Sequence, residues 1–174
     1  TGIRLQRSGD DIAAMSVSES LRGDVTALKQ GAKNLNDGIS MIQTADGALN
    51  EQSSILIRLR EITTQSATGT IGDTERATLQ LEFSALRSEF DRIANTTEFN
   101  SRKLLDGSLA ASSSDTTVLQ LGLDSSDNNR FDLNQKINLT AVTSSALGFS
   151  TDSIATNTGA VTAMANLSTA IEKL

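Results

Sequence analysis

Two groups of acidic residues in this chain have a spacing that carboxylate chemistry could use. The first is the adjacent pair Asp10 and Asp11. Paired carboxylates can divide general acid and general base roles when their surroundings separate their pKa values. Acidic side chains also collect at the start of helices, where they face the positive end of the helix dipole. Because a helical pattern begins directly after this pair, we interpret Asp10 and Asp11 as helix-start residues.

The second group, Asp124, Asp127 and Asn128, places several side-chain oxygen atoms in one short stretch. Oxygen ligands of this kind suit Ca²⁺, but an EF-hand loop spreads its ligands over about twelve residues and closes with a glutamate. Neither feature is present here. The stretch therefore predicts a turn between two strands and not a calcium site.

The composition excludes several function classes. The chain contains no His and no Cys, so ordinary zinc sites, histidine-based triads and thiolate chemistry are ruled out. The net charge of −6 argues against nucleic acid, whose binding depends on neutralising phosphates. No run of about 18 apolar residues is present, so no membrane span is predicted. We expect no enzyme activity, no cofactor and no metal.

One long helix, over about residues 11–67, organises the chain. Its apolar residues recur in alternating steps of four and three, which is the seam of a left-handed coiled coil. The seam residues are Leu21, Val25, Leu28, Ala32, Leu35, Ile39, Ile42, Leu49 and Leu56. No proline interrupts the helix, and its length would be roughly 80 Å. Such a rod is typical of extended assemblies.

Four glycines lie inside this predicted helix, at Gly23, Gly31, Gly38 and Gly47. Each weakens a helix interior by up to about 1 kcal/mol relative to alanine. We therefore expect another backbone to pack closely against the helix at these positions, although drift in a helix held by tertiary contacts is the alternative.

The remaining elements follow from spacing and turn residues. A short connection leads to a second helix over about 73–95, capped by Asp73 or Thr74, which must fold back antiparallel on the first. A β-hairpin region is predicted over about 117–142, with its second strand continuing through Ile137-Asn138-Leu139. A last helix is predicted over about 153–174. The predicted fold class is mainly α: an elongated antiparallel helical bundle with coiled-coil seams and a small β-hairpin region.

Several motifs, in one order, resemble those of bacterial flagellin. They include residues 1–11, then Asn36-Asp37-Gly38-Ile39-Ser40, residues 43–51, Arg58-Leu59-Arg60-Glu61-Ile62, residues 91–100 and 103–107, and Ala146-Leu147-Gly148-Phe149. The likeness is close over residues 1–108 and looser over 117–174. The resemblance implies a single core domain over residues 1–174 that lacks both terminal helices and a separate outer variable domain.

The resemblance also implies a function. It indicates a secreted structural subunit that assembles with other flagellin subunits into the extracellular filament of the bacterial flagellum. It further implies an export chaperone that binds the missing C-terminal part. The alternative is a hook–filament junction protein, which shares the N-terminal pattern. A flagellin carrying a metal-dependent peptidase insert is disfavoured by the lack of His, and an adhesin by the lack of aromatic residues.

Three residues match the motif through which the Toll-like flagellin receptor of animals contacts flagellins. By resemblance, the predicted receptor-binding residues are Arg58, Ile62 and Glu82. Thr63 and Thr64 depart from the small apolar pair common in the family. Apart from the resemblance, these charged positions would be read as a solvated helix face with local ion pairs.

Overall fold

The fold is described from a computed structural model, which describes residues 12–174. The elements in chain order are α1 (Ile12–Ala67), α2 (Asp73–Thr96), β1 (Glu98–Phe99), β2 (Arg102–Lys103), β3 (Val118–Gln120), β4 (Arg130–Asp132), α3 (Leu133–Ile137), α4 (Ser144–Leu147) and α5 (Asn157–Lys173). The predicted helix-start pair Asp10 and Asp11 lies outside the described residues.

α1 is a single unbroken helix of 56 residues, about 84 Å long at 1.5 Å per residue. The start of α2 lies beside the end of α1, where the Arg76 guanidinium donates to the Ser66 carbonyl oxygen. Further along, the Gln52 amide of α1 reaches the Phe90 carbonyl oxygen of α2. The two helices are therefore antiparallel. The predicted fold class, an elongated helical bundle with small strand pairs, is confirmed.

α5 forms the third helix of the bundle and also runs back along α1. Its first residue, Asn157, donates to the carbonyl oxygen of Ala67 at 2.5 Å, and the helix then packs along α1. Small residues on its inner face allow close approach: Ala160, Ala163 and Ala170 are buried beside Leu167. The prediction started this helix at about residue 153. In the structure Thr156 caps it, and its hydroxyl accepts from the Gly159 amide.

The core is a narrow layer between the three helices. α1 contributes Leu56, Leu59 and Ile62, and α2 contributes Phe83 and Phe90, all fully buried. The Phe90 ring meets the Phe149 ring edge to face, with centroids 5.3 Å apart, a favourable arrangement for aromatic pairs. A core this thin agrees with a sequence that has 3% aromatic residues.

A buried arginine joins the first two helices at their connection. Arg76 of α2 donates to the carbonyl oxygens of Ser66, Thr68 and Ile71 at 2.9–3.1 Å. It thus satisfies one carbonyl in the last turn of α1, which has no partner within the helix, and two carbonyls in the connection that follows. The expected cap of α2 is wrong: Gly72 takes that position and no side chain caps the helix.

The strand region differs from the predicted hairpin in its second half. β3 and β4 pair antiparallel, with Leu119 opposite Phe131. The predicted strand through residues 137–139 is wrong, because Asp132 caps a short helix, α3, by accepting from the Gln135 amide. Asn138 then ends α3 in a left-handed conformation with φ 49° and ψ 47°. A second antiparallel pair, β1 with β2, was not predicted.

One of the four helix glycines, Gly31, meets another backbone as expected, whereas Gly38 meets a side chain. A Cβ on Gly31 would overlap the carbonyl oxygen of Leu121, and a Cβ on Gly38 would overlap the Leu119 side chain. Both contacts come from the chain at and after β3. Gly23 and Gly47 have open space around them, so the expectation is wrong at those two positions.

Candidate assembly and receptor surfaces

The N-terminal half of α1 presents its seam to solvent. The α1 stripe consists of seven large apolar side chains, each between 42% and 60% exposed: Val17, Leu21, Val25, Leu28, Leu35, Ile39 and Ile42. They share one line along the helix because their spacing averages 3.5 residues. A contiguous apolar surface of this kind marks an interaction site.

The same line becomes buried towards the C-terminal half of α1. Leu49 is partly buried and Leu56 is fully buried. α2 and α5 accompany only this half of the rod, since both start beside the C-terminal end of α1 and are much shorter than α1. Among the described residues, the α1 stripe is thus the uncovered continuation of a seam that is filled elsewhere.

The β3–β4 hairpin covers a different side of the exposed half of α1. The Asn34 amide donates to the Gln120 carbonyl oxygen at 2.9 Å, between the two glycines that accept the hairpin closely. Beyond the hairpin, Leu109 and Leu139 lie against α1 and form an apolar groove with Met41, Ala45 and Leu49. The hairpin therefore braces the rod and leaves the α1 stripe open.

Arg58 lies at the centre of an ion-pair cluster that joins α1 to α2. Its guanidinium donates to the Glu61 carboxylate at 2.6 Å and, through two nitrogens, to Glu82 at 2.6 and 2.9 Å. The hydrogen bonds to the Glu61 and Glu82 carboxylates raise the pKa of Arg58. The Arg58 side chain is 46% exposed and that of Glu82 is 41% exposed. Two of the three predicted receptor residues are thus in contact and accessible.

The third predicted receptor residue, Ile62, is fully buried in the core. It lies on the side of α1 that faces the bundle, three residues after the buried Leu59. Its side chain offers no surface to a partner, so the assignment of Ile62 as a contact is corrected. Thr63 is also buried, with its hydroxyl donating to the Leu59 carbonyl oxygen.

Two exposed apolar residues beside the ion-pair cluster were missed by sequence reasoning. Ile57 is 62% exposed and Leu81 is 74% exposed, and each precedes one member of the Arg58–Glu82 pair. The signal in the sequence was that neither residue falls on the apolar repeat of its helix. We term Arg58, Glu82 and these two residues the pair surface: an accessible charged pair in which each member follows an exposed apolar residue in the sequence.

The acidic stretch after β3 is a turn held by its own side chains. The Asp124 carboxylate accepts from the amide and hydroxyl of Ser126 at 2.9 and 2.6 Å, and from the Asn129 amide. These hydrogen bonds lower the pKa of Asp124. Across residues 12–174 no group of acidic side chains is arranged to hold a metal ion. In the same part of the chain, none of the helices is long and apolar enough to cross a membrane.

Comparison with known proteins places the sequence in one family. The model of the bacterial flagellin N-terminal helical region matches residues 1–110. A flagellin of Clostridium tyrobutyricum is 52% identical over 108 residues, covering 62% of this chain and 29% of that protein. The flagellar filament 30.7 kDa core protein of Treponema maltophilum is 36% identical over 148 residues, covering 85% of this chain and 50% of its own length. The chain thus spans between about a third and a half of these relatives.

The fold leads to the same family. The crystal structure of Bacillus cereus flagellin matches with a TM-score of 0.64 and 29% identity, over 79% of this chain and 74% of that one. The matched family model covers more than half of the sequence and includes both the α1 stripe and the Arg58–Glu82 pair. The chain belongs to the bacterial flagellin family.

Proposed function

We propose that this chain is the rod-like core of a structural, non-catalytic subunit that assembles into the extracellular filament of the bacterial flagellum. The observation that carries the proposal is the α1 stripe, a seam that is filled along half of the rod and open along the other half. A helical rod with an uncovered apolar seam and solvent-exposed polar faces is a component of a larger helical assembly. Filaments arise from repeated contacts between subunits that do not close into a ring.

The covering element proposed for the α1 stripe is another helix of the assembled protein. α5 runs antiparallel to α1 towards the stripe, so a helix on the same line would reach it. The polar flanks of α1, which include Lys33, Asn36 and Asp37, are exposed. In this proposal they make the modest lateral contacts with neighbouring flagellin subunits.

Assembly of the full-length flagellin tests this proposal. Replacing Leu28 and Leu35 together by serine should remove two apolar side chains from the α1 stripe and sharply reduce the filament mass recovered by shearing. The matched control replaces Leu28 and Leu35 together by methionine, which keeps both side chains apolar, and should assemble normally. Normal filaments from the serine variant would refute the proposal. Recovery of the unmodified protein only in trace amounts from sheared flagella would instead favour the hook–filament junction protein.

We also propose that the pair surface is recognised by the Toll-like flagellin receptor of animals, through Arg58 and Glu82. The support is the accessible charged pair flanked by Ile57 and Leu81, because arginine beside apolar side chains is a frequent centre of binding energy. Ile62 contributes only by supporting α1 from inside the core.

A direct binding assay with the receptor ectodomain tests the receptor proposal. Arg58→Ala should weaken binding at least tenfold, while Arg22→Ala, an 81% exposed arginine near the other end of α1, should bind as the unmodified protein does. Circular dichroism checks that both variants keep their helices. Unmeasurable binding by the unmodified protein, or equal binding by both variants, would remove the proposal.

Two further proposals concern organisation and export. We propose that residues 1–174 form a single core domain without a separate outer domain, since the segment between α2 and α5 packs on the rod at Gly31 and Gly38. One cooperative unfolding transition is expected, and two resolved transitions would contradict it. We also propose that the export chaperone of flagellins does not bind α1, α2 or α5, so this chain should not capture it.

A further inference from the structure

Gln52 of α1 is a fully buried amide in the middle of the bundle. Its Nε2 donates to two carbonyl oxygens, that of Phe90 on α2 and that of Val142, each at 3.1 Å. Its Oε1 is buried and has no hydrogen-bond partner within the described part of the chain. An unpaired buried acceptor is unfavourable. An apolar side chain at this position would therefore pack between the helices with greater stability.

The surrounding apolar pattern repeats every seven residues and does not define one position along the rod. Gln52 belongs to a row of buried α1 residues spaced by seven: Ala45, Gln52, Leu59 and Ser66. On α2 the two fully buried aromatic residues, Phe83 and Phe90, are also seven apart. Seven residues correspond to two helical turns, or about 10 Å. A segment docking on this pair of helices therefore meets similar apolar surfaces at successive positions.

The segment that docks there is the return segment, residues 142–149, which brings the chain back from the strand region to the bundle. Besides Gln52, one other side chain binds it by directed hydrogen bonds. The Asp91 carboxylate of α2 accepts from the amide of Ser144 at 2.7 Å and from its hydroxyl at 2.6 Å. The Phe149 ring at the end of the segment then meets Phe90.

We propose that Gln52 is a positioning residue that sets where the return segment docks along α1 and α2. Its single NH₂ group bridges α2 and the return segment, and the two hydrogen bonds form together only when both are in this register. A buried polar group that selects one register at some expense of stability is a known use of such residues in coiled coils. The docking position in turn sets the start of α5, which follows the return segment in the chain.

Hydrogen exchange measured by mass spectrometry on the whole chain tests the proposal. Gln52→Met and Gln52→Leu keep a similar volume but lose both hydrogen bonds. Amides of the return segment that are protected by hydrogen bonds, among them Leu147, Gly148 and Phe149, should exchange at least tenfold faster in both variants. The midpoint of thermal unfolding should stay the same or rise. Gln43→Met, at an exposed position of α1, is the matched control and should change neither quantity.

Three results would overturn the proposal. Unchanged protection of the return segment in both variants would show that Gln52 does not position it. Faster exchange spread equally over the return segment and α5, with a lower unfolding midpoint, would show that Gln52 is an ordinary core residue. Failure of both variants to fold would also overturn it, because the proposal requires that an apolar side chain at this place maintains the bundle.

Discussion

Gly31 gives the sharpest test of how the hairpin is held on the rod. It is buried on α1 beneath the chain that follows β3. A Cβ at this position would overlap the Leu121 carbonyl oxygen and lie 2.9 Å from the Leu121 carbonyl carbon. These are backbone atoms, which cannot rotate away as a side chain can. Gly31→Ala should therefore push the hairpin off its position.

The magnitude follows from comparing Gly31 with Gly47 in the same helix. Alanine favours a helix interior over glycine by about 0.8–1 kcal/mol. Nothing lies within 4 Å of a Cβ on Gly47, so Gly47→Ala should stabilise the protein by about that amount and raise the unfolding midpoint by about 2–4 °C. At Gly31 the overlap of the added Cβ with Leu121 opposes this gain, and overpacking of this kind typically destabilises by about 1–3 kcal/mol. Because both variants gain the same helix propensity, the difference between them isolates the overlap at Gly31.

Urea unfolding followed by far-ultraviolet circular dichroism measures this difference. The free energy of unfolding of Gly31→Ala should fall about 1–3 kcal/mol below that of Gly47→Ala. The Leu121 amide, which donates to the Asn129 carbonyl oxygen at 2.8 Å, should lose protection only in Gly31→Ala. Gly38→Ala should fall between the two, because it meets the movable Leu119 side chain.

One result would refute this reasoning. If Gly31→Ala stabilises the protein as much as Gly47→Ala does, the hairpin is not seated against α1 at that position. The explanation of Gly31 as a close-approach glycine would then be wrong.

Two further predictions concern the polar side chains Arg76 and Asp124. Arg76→Met should destabilise the protein by about 2–4 kcal/mol, since one buried and two partly buried carbonyls lose a charged donor. Urea unfolding measures this loss. The exposed Arg60→Met should be nearly neutral, so equal effects of the two substitutions would contradict the capping role. The pKa of Asp124 is lowered in the folded chain. Its stabilisation of the turn is therefore fully present above the unfolded pKa of about 3.9. This stabilisation is lost as the pH falls through the lower folded pKa. Amide exchange of residues 124–129 should therefore show faster local opening below about pH 4, and Asp124→Asn should abolish that dependence; a turn whose protection is independent of pH in the unmodified chain would contradict the assignment.

The long helix pair was predictable because its signals are local. The four-three apolar spacing and the absence of proline specify α1 without reference to any partner, and the glycine-rich connection before Asp73 implies an antiparallel neighbour. The resemblance to flagellins was also detectable in the sequence, since the motifs occur along the chain in the same order as in that family. The capping of α2 was not predictable, because Gly72 takes a position that Asp73 or Thr74 suits equally well by residue type.

The pair surface was only partly predictable. Arg58 and Glu82 were named correctly as accessible charged residues, whereas Ile62 was assigned to the surface and lies in the core. Which side of a helix is buried depends on where its neighbours pack. The 3.5-residue repeat of apolar residues does not by itself show whether Ile62 is buried or exposed. Ile57 and Leu81 show the converse, since large apolar side chains remain exposed where no neighbour reaches them.

The helical rod and its long apolar seam follow from local sequence, because helix formation and seam periodicity are properties of consecutive residues. Which half of that seam is buried depends on long-range packing, because it is set by how far α2 and α5 extend along α1. Residues 133–137 form α3 and not a strand, since the Asp132 cap and the left-handed Asn138 overrode a weak alternating pattern. The same long-range packing placed the hairpin on Gly31 and Gly38 and left the α1 stripe open.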